Sequence, residues 1–539
     1  MSILQTMINL TTKGKIACFA ALFAFTACSE SSDNEQDTSA EMDNATLTDP
    51  SAIELAIERL PGWSGEYKRI FATNCSGCHG VDLSGGRAKT LFDERIFKER
   101  TDEQLVQIIQ EGLPVAGMPP FKEILSEDQT RQMLVFLRDG AARLAESPPF
   151  VPSPDGVEIE SDKQSFRIEL LVSGLNVPWA LDFLPDGRKL VTERTGYLRI
   201  IDADGNLLPQ PVSGMPQAYV VQDGGYLDVA VDPDYKENGW IYISYVEALS
   251  DYEKPEETNL DARNRQVNPP MNIVVIRGRI NEINEWVDEE VLFRSEEDMY
   301  TTSGVHFGSR FLFDDQGHLY FSLGDRGQAE HAQDLSSPNG KIHRINKDGS
   351  IPEDNPFVDV ETALGSIWSY GHRNPQGLAW DPNTGLMWES EHGPTGGDEI
   401  NIIEPGNNYG WAEISMGLQP GIKTSSAPGM EQPIVYYTPA IAPSGISFLG
   451  VDREIYPQWS RSLFVSGLSG QQLRRLEIDG REVVDQEVLF NQFGRTREVA
   501  QGPDGYLYAL IQNPTGSHVG TQLSAVTPGV LVRLLPSEE

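Results

Sequence analysis

The sequence predicts a multidomain chain in which a small all-α domain precedes an all-β, six-bladed β-propeller. Three observations predict it. The 539 residues exceed what one hydrophobic core usually serves. Helical periodicity fades near Pro148, where alternating strands punctuated by Gly, Asp and Pro take over. A turn followed by an apolar strand then recurs six times. The expected divisions are 1–27, a leader; 28–56, an acidic tether; 57–146, the helical domain; 147–164, a linker; and 165–535, the propeller.

With 80 acidic against 42 basic residues the formal charge is -38, which repels phosphate backbones and excludes nucleic acid as a partner. The 50 glycines and 35 prolines suit a turn-rich globular chain rather than a coiled coil or a membrane bundle.

The leader carries Lys13 and Lys15, an apolar run from Ile16 to Phe25, and then Thr26-Ala27-Cys28. A charged start, a short apolar core and small residues before a cut make a secretory signal, too short to span a bilayer. The run resembles a bacterial lipobox, which implies lipidation of Cys28, a periplasmic address and membrane attachment by that lipid alone. Ordinary cleavage with a soluble product is the alternative. From Ser29 to about Ile53 the chain is acidic and polar without Lys or Arg, a composition that stays extended.

Of four cysteines, Cys18 lies in the leader and Cys28 at the cut, leaving Cys75 and Cys78 in Cys75-Ser-Gly-Cys78-His79. Two thiols one helical turn apart add across both vinyl groups of one haem, and the adjacent His79 reaches the iron. A zinc site needs two more ligands than these cysteines supply. Gly117-Met118-Pro119-Pro120 offers Met118 as the second axial ligand, between helices expected at 101–112 and 126–145. The first opens with Thr101-Asp-Glu-Gln104, close to a capping box. The order helix, CxxCH, helix, Met loop, helix resembles a small class I cytochrome c, and His/Met ligation implies a fairly positive potential.

The six propeller repeats begin at Pro185-Asp-Gly, Asp232-Pro-Asp, Asp314-Asp-Gln-Gly, Asp381-Pro-Asn, Tyr456-Pro and Gly502-Pro-Asp-Gly. Each precedes an apolar strand, and the spacing fits four-stranded blades with inserted loops. Loops from every blade converge on a channel mouth, so a site can draw one residue from each.

Four motifs go beyond a generic propeller: Gly304-Val-His306-Phe-Gly-Ser-Arg310, Gly324-Asp325-Arg-Gly327, Gly371-His-Arg373-Asn374-Pro-Gln-Gly377 and Glu391-His-Gly393-Pro394. With Gly396-Gly-Asp-Glu-Ile-Asn401 and Arg495-Thr-Arg497, they resemble the PQQ-dependent aldose and glucose dehydrogenases of the glucose/sorbosone dehydrogenase family. The resemblance covers about residues 165–535.

It implies that His306 takes the proton from the C1 hydroxyl of an aldose while hydride passes to pyrroloquinoline quinone, with Asp325 supporting the imidazole. It implies that Arg373 and Asn374 stand at the reacting edge of the quinone and that Arg495 and Arg497 grip it. It implies a calcium held by the carbonyls of Gly393 and Pro394. Electrons would then pass singly to haem c and on to an external acceptor, a cytochrome c or an oxidase.

The chain departs from the family at Asp223, where members often carry Gln, at Ser469, commonly Lys, and at Val305, where they offer Asp or Asn. The sugar is therefore not fixed by the resemblance. Two other readings of the propeller stand at this point: a calcium-dependent hydrolase or lactonase, and a non-catalytic binding propeller served by an electron-transfer haem. His318, His331, His343 and His518 read as surface or packing residues, while His372 and His392 adjoin the site without an assigned role.

Overall fold

A computed structural model of the chain describes residues 101–113, 118–145 and 152–537 apart from 251–267, 395, 418–420, 423, 439, 451–452 and 513–527. It also describes Tyr67, Ile70, Phe71, Asn74, Cys75, His79, Leu91 and Arg100. The leader, the tether, Cys28, Cys78 and His518 lie outside the described residues.

Two helices close the N-terminal domain, Asp102–Glu111 and Glu127–Ala145. Thr101 accepts from the Gln104 amide and Gln104 bonds back to the Thr101 amide, so the capping box forms as its spacing requires. Ser126 and Gln129 repeat the exchange at the second helix. Leu105 and Val106 pack on Leu134, and Phe71 on Met133 and Leu137, with the Phe71 and Phe136 rings 6.2 Å apart.

The rest is six antiparallel sheets arranged as a propeller. In chain order, blade 1 comprises Pro178–Phe183, Lys189–Glu193 and Tyr197–Ile201. Blade 2 comprises Tyr226–Val231, Ile241–Ala248, Met271–Ile280 and Trp286–Arg294. Blade 3 runs from Gly308–Phe313 through His318–Leu323 and Lys341–Asn346 to Ile367–Tyr370. Blade 4 has Pro375–Trp380, Met387–Glu391, Asp398–Ile403 and Val435–Tyr437; blade 5 has Pro443–Phe448, Ser462–Gly467, Gln472–Asp479 and Glu482–Phe490. Blade 6 adds Arg495–Gln501, Leu507–Gln512 and Pro528–Pro536.

Each of the six sequence repeats leads into the second strand of a blade. These strands are covered on both faces by neighbouring blades, so they are buried without alternation and read as continuous apolar runs.

Ring closure was not visible in the repeats. The segment Phe166–Asn176, ahead of the first blade, pairs with Pro528–Pro536 from the other end of the propeller, from Phe166 opposite Pro536 to Asn176 opposite Pro528. This completes blade 6 and leaves blade 1 with three strands. Glu158–Ile159 then pairs with Phe166 and Arg167, so the linker expected at 147–164 is too long. Its last part is sheet because Ile159 has an apolar cluster around Trp459 to bury against.

Candidate functional site

In a blade, the start of the first strand and the end of the second lie at the same end of the sheet. His306, Arg373, Asn374 and Arg495 sit at starts of first strands, and Arg194, Asp325 and His392 just past ends of second strands. The fold thus gathers them at one mouth. In all six blades the pairing of these two strands shifts register at that end, for example between Gly308 and Phe311 and between Pro375 and Gly377. Such bulges re-aim side chains where the ladder breaks, here toward the channel.

Below the mouth the channel is filled by a polar network. Arg310 reaches Asp228 at 3.3 Å and also bonds Glu498, donates from Nε to the Gln376 carbonyl at 2.9 Å, and stacks on Trp179. Arg497 donates to Gln376 Oε1 at 2.9 Å and to Ser444. Five blades therefore meet at two guanidinium groups, with Trp179 of the sixth stacked against them.

His306 Nδ1 lies 2.7 Å from Asp325 Oδ1. The two residues are brought together by glycines: a Cβ on Gly324 would fall 2.2 Å from the His306 carbonyl, and one on Gly308 (φ +66°) 2.7 Å from the Gly324 amide. His306 itself holds φ +54° and Arg326 φ +58°, conformations that side-chain-bearing residues rarely adopt and that cluster at working sites. Asp325 is 1% exposed while His306 keeps a partly open face. Burial alone would raise the Asp325 carboxyl, but the imidazole, the Arg373 charge and the Gly327 amide overcome it and hold the group below its usual range.

The remaining oxygen of Asp325 accepts from Trp411 Nε1 at 2.7 Å. Trp411, 86 residues further along the chain, was not singled out in the sequence, because nothing local ties it to Asp325. Its ring also lies 5.3 Å from the Arg373 guanidinium.

The backbone amides of Arg373 and Asn374 both donate to Glu391 Oε2, at 2.6 and 3.3 Å. Asn374 Oδ1 accepts from the Gly308 amide, and its Nδ2 faces His392 Nδ1 at 3.2 Å. His392 Nε2 faces the Pro443 carbonyl at 2.8 Å, so the ring donates there and accepts from Asn374. Burial first, then Arg497, Arg373 and His306, drive the His392 pKa well down and keep it neutral. His392 therefore positions Asn374, which answers one of the two histidines left without a role. His343 and His318 are held by Ser366 and the Pro338 carbonyl and by Asp314.

The arginines test the site for an anion. Arg495 and Arg497 are buried and Arg373 is half-buried, and among the described residues none has a carboxylate ion-pair partner; their Nε atoms find no acceptor. Burial depresses Arg495 to about 10 and drives Arg497 well down, with Arg495 and Arg194 adding repulsion to the latter. Buried cations without counter-charges are costly. A small molecule bearing several carboxylates supplies what they lack, so the residues present fit a polycarboxylate quinone. The Asp223 carboxylate is the protein group whose field reaches Arg194, Arg326, Arg373, Arg495 and Arg497 together.

Gly393 and Pro394 line a small cavity with Arg373, Glu391, Glu399 and Trp411. Asp398 clamps this turn, accepting from the Gly393 amide at 2.9 Å and the Ala442 amide at 2.7 Å. A Cβ on Gly393 would fall 2.2 Å from the Gly397 carbonyl, so only glycine allows the turn to close. Two glutamates beside this turn offer the oxygen donors that suit a hard cation.

In the helical domain the amide of Cys75 bonds to the Phe71 carbonyl and that of His79 to the Cys75 carbonyl, at 2.8 and 2.9 Å. Cys75 and His79 thus stand one helical turn apart, beside the apolar cluster of Phe71. Met118 pairs through its backbone with Leu113 in both directions, which fixes the backbone at the residue that carries the thioether. These residues fit a covalently attached haem.

Residues 175–520 match the profile of the glucose/sorbosone dehydrogenase family, and residues 65–137 that of the cytochrome c oxidase cbb3-type subunit III family. The chain is 37% identical over 359 residues to the aldose sugar dehydrogenase YliI of Escherichia coli, covering 65% of this chain and 91% of that protein. A solved glucose dehydrogenase superposes with a TM-score of 0.60 at 37% identity, covering 69% of this chain and 99% of that one. The PQQ-bound aldose sugar dehydrogenase of Streptomyces coelicolor gives 0.53 at 26% identity, over 71% of this chain and all of that one.

Proposed function

The chain belongs to the glucose/sorbosone dehydrogenase family, with a cytochrome c domain ahead of the propeller, and on that premise we propose that it is a periplasmic quinohaemoprotein. It oxidises the C1 hydroxyl of aldose sugars to lactones and passes the electrons singly to haem c. Membership of the family makes the protein an oxidoreductase acting on sugars. The observation that carries the finer reading is the part-buried His306–Asp325 pair beside arginines that have no carboxylate ion pair among the described residues and whose Nε atoms lack acceptors.

PQQ, when bound, supplies the two-electron hydride acceptor, and calcium at the Gly393 and Pro394 carbonyls a Lewis acid. The protein's own part is proton transfer and orientation. Asp325 engages Nδ1 of His306, leaving Nε2 to take the hydroxyl proton, and its charge balances the imidazolium that results. The Trp411 and Gly327 N–H groups fix the carboxylate so that it cannot rotate away. Glu391 presents Arg373 and Asn374 through their backbone amides, and Arg495 and Arg497 bind carboxylates of the quinone.

In the helical domain Cys75 and Cys78 attach the haem, and His79 and Met118 ligate its iron. Cys28 carries a lipid that holds the mature chain at the membrane. No helix among the described residues is long and apolar enough to cross one. The domain limits are those read from the sequence, with the propeller sheet beginning at Glu158.

The test uses the full chain with its haem, reconstituted with calcium and PQQ and mixed anaerobically with a panel of aldoses. Growth of the reduced haem bands on adding an aldose is the expected result. A haem reducible by dithionite but by no aldose overturns the reading and returns the propeller to a binding role.

A further inference from the structure

Blade 4 carries a second cluster of chemistry behind the site. Glu389 and Glu391 are two apart on the strand Met387–Glu391, so their side chains leave the same face, opposite Asn401 and Glu399 of the next strand. His372 approaches from the turn ahead of the first strand, with Nδ1 3.5 Å from Glu391 Oε1. One ligand atom from each of His372, Glu389 and Glu391 lies within 4.8 Å of the others. His372 and Glu389 are wholly buried and Glu391 is 3% exposed.

Among the described residues the cluster lacks a cationic ion pair, and two of its ligand atoms lack partners, although Glu389 Oε2 accepts from Asn401 Nδ2 at 3.0 Å. Among the described residues neither Glu389 nor Glu391 has a Lys or Arg ion pair. His372 Nδ1 and Glu389 Oε1 are buried with no hydrogen-bond partner, although Ser369 Oγ, 2.9 Å away, occupies the other ring nitrogen of His372. Burial and then the Glu391 charge push the carboxyls of Glu389 and Glu399 well up. Buried polar atoms normally have a partner, whether protein, water or ion, so two unpartnered ones in one cluster call for one.

We propose that His372, Glu389 and Glu391 bind a divalent cation of the zinc class. Imidazole nitrogen and carboxylate oxygen are both donors that zinc accepts, and the nitrogen separates the set from a calcium cage of oxygens alone. It also differs from the Gly393–Pro394 turn, whose donors are carbonyls. The ring of His372 is already oriented, stacked on Tyr409 at 4.8 Å and tied to Ser369. The cation acts through Glu391. With one oxygen on the metal, the other is fixed where it accepts from the amides of Arg373 and Asn374. The metal is thus a rigid support behind the residues that present the cofactor, and it takes no part in electron transfer.

The experiment uses the untagged full chain with its haem, stripped by chelators and then exposed singly to zinc, manganese or calcium. Bound metal is measured by mass spectrometry with haem iron as the internal count of chains. The expected result is one zinc, or one manganese, per iron, with retention lost at least tenfold in Glu389→Gln. In thermal unfolding, zinc at about a hundredfold excess over its Kd raises the Tm of the unsubstituted chain by about 3 °C and leaves Glu389→Gln unmoved. Failure of the unsubstituted chain to retain zinc or manganese overturns the proposal, as does equal retention by the variant. Should the variant not fold, the Tm of the unsubstituted chain decides: a rise with zinc that calcium does not reproduce supports the site, and its absence overturns it.

Discussion

In the helical domain Cys75 and His79 stand one helical turn apart, while the groups that meet at the propeller mouth come from positions as distant as Arg194 and Arg497. The first site is held by local helix geometry and, on the reading above, by covalent bonds to its cofactor. The second is held by six sheets, a bulge in each, and buried polar partners such as Glu391, Trp411 and Asp398. The difference teaches that a local site fails when a ligand is lost, whereas a dispersed site can also fail through residues that never touch substrate.

Breaking the dispersed site at its centre has the largest expected effect. His306→Gln keeps a polar side chain but removes the base, so kcat falls by on the order of 1,000-fold. Quinone binding, followed by its absorbance, stays within a fewfold of the unsubstituted chain. If binding is lost in proportion, His306 holds the cofactor and the assignment of roles at the mouth fails.

Arg495→Met removes a buried charge-assisted contact and raises the quinone Kd by roughly 10–100-fold in titration, with kcat at saturating quinone nearly unchanged. An unchanged Kd breaks the comparison, because the mouth would then not be an anion site.

Met118→Ala sharpens the local half of it. The haem potential falls by on the order of 0.1 V, within the roughly 0.8 V that axial ligation spans. Sugar oxidation with an artificial dye as acceptor is unaffected. A potential that does not move excludes Met118 as the ligand.

Trp411→Phe keeps the ring and removes one donor to Asp325. A loss of roughly 3–10-fold in kcat with KM little changed is expected, together with a shifted acid limb of the pH profile. An unaltered pH profile would mean that Trp411 only packs.

The smallest effect is on stability. Burial pushes the Asp182 carboxyl up to about 7 against the hydrogen bonds from the Val231 and Phe183 amides. Its folded pKa lies above the roughly 3.9 of an unfolded Asp, so the folded state holds the proton longer. The contribution is full below the unfolded pKa and lost as pH rises through about 7. Asp182→Asn should therefore gain Tm relative to the unsubstituted chain between pH 5 and pH 8. A difference that does not change with pH refutes the shift.

Much of the fold was legible because propeller blades repeat. The six turn-and-strand units are the second strands of the six blades, and both helices near Met118 end within a residue or so of where their capping and periodicity placed them. The motifs around His306, Asp325, Arg373 and Asn374 were legible too, through their resemblance to the family whose profile the propeller matches. Trp411, Glu391 as the clamp on two backbone amides, and the neutral role of His392 were not. Each acts on a residue tens of positions away or through a hydrogen bond that no spacing encodes.

The sequence by itself determined the two-domain class, the haem signature, the repeat number and the family, because these are written in short motifs and in periodicity. Only the tertiary structure decided that the segment Phe166–Asn176 closes the ring and that blade 1 keeps three strands. It alone brought His306 to Asp325 and Trp411, and His372 to Glu389 and Glu391. The physical reason is that pairing and burial between distant segments depend on which surfaces the folded sheets bring together, and hydrogen bonds in such dry places form only where that packing puts them.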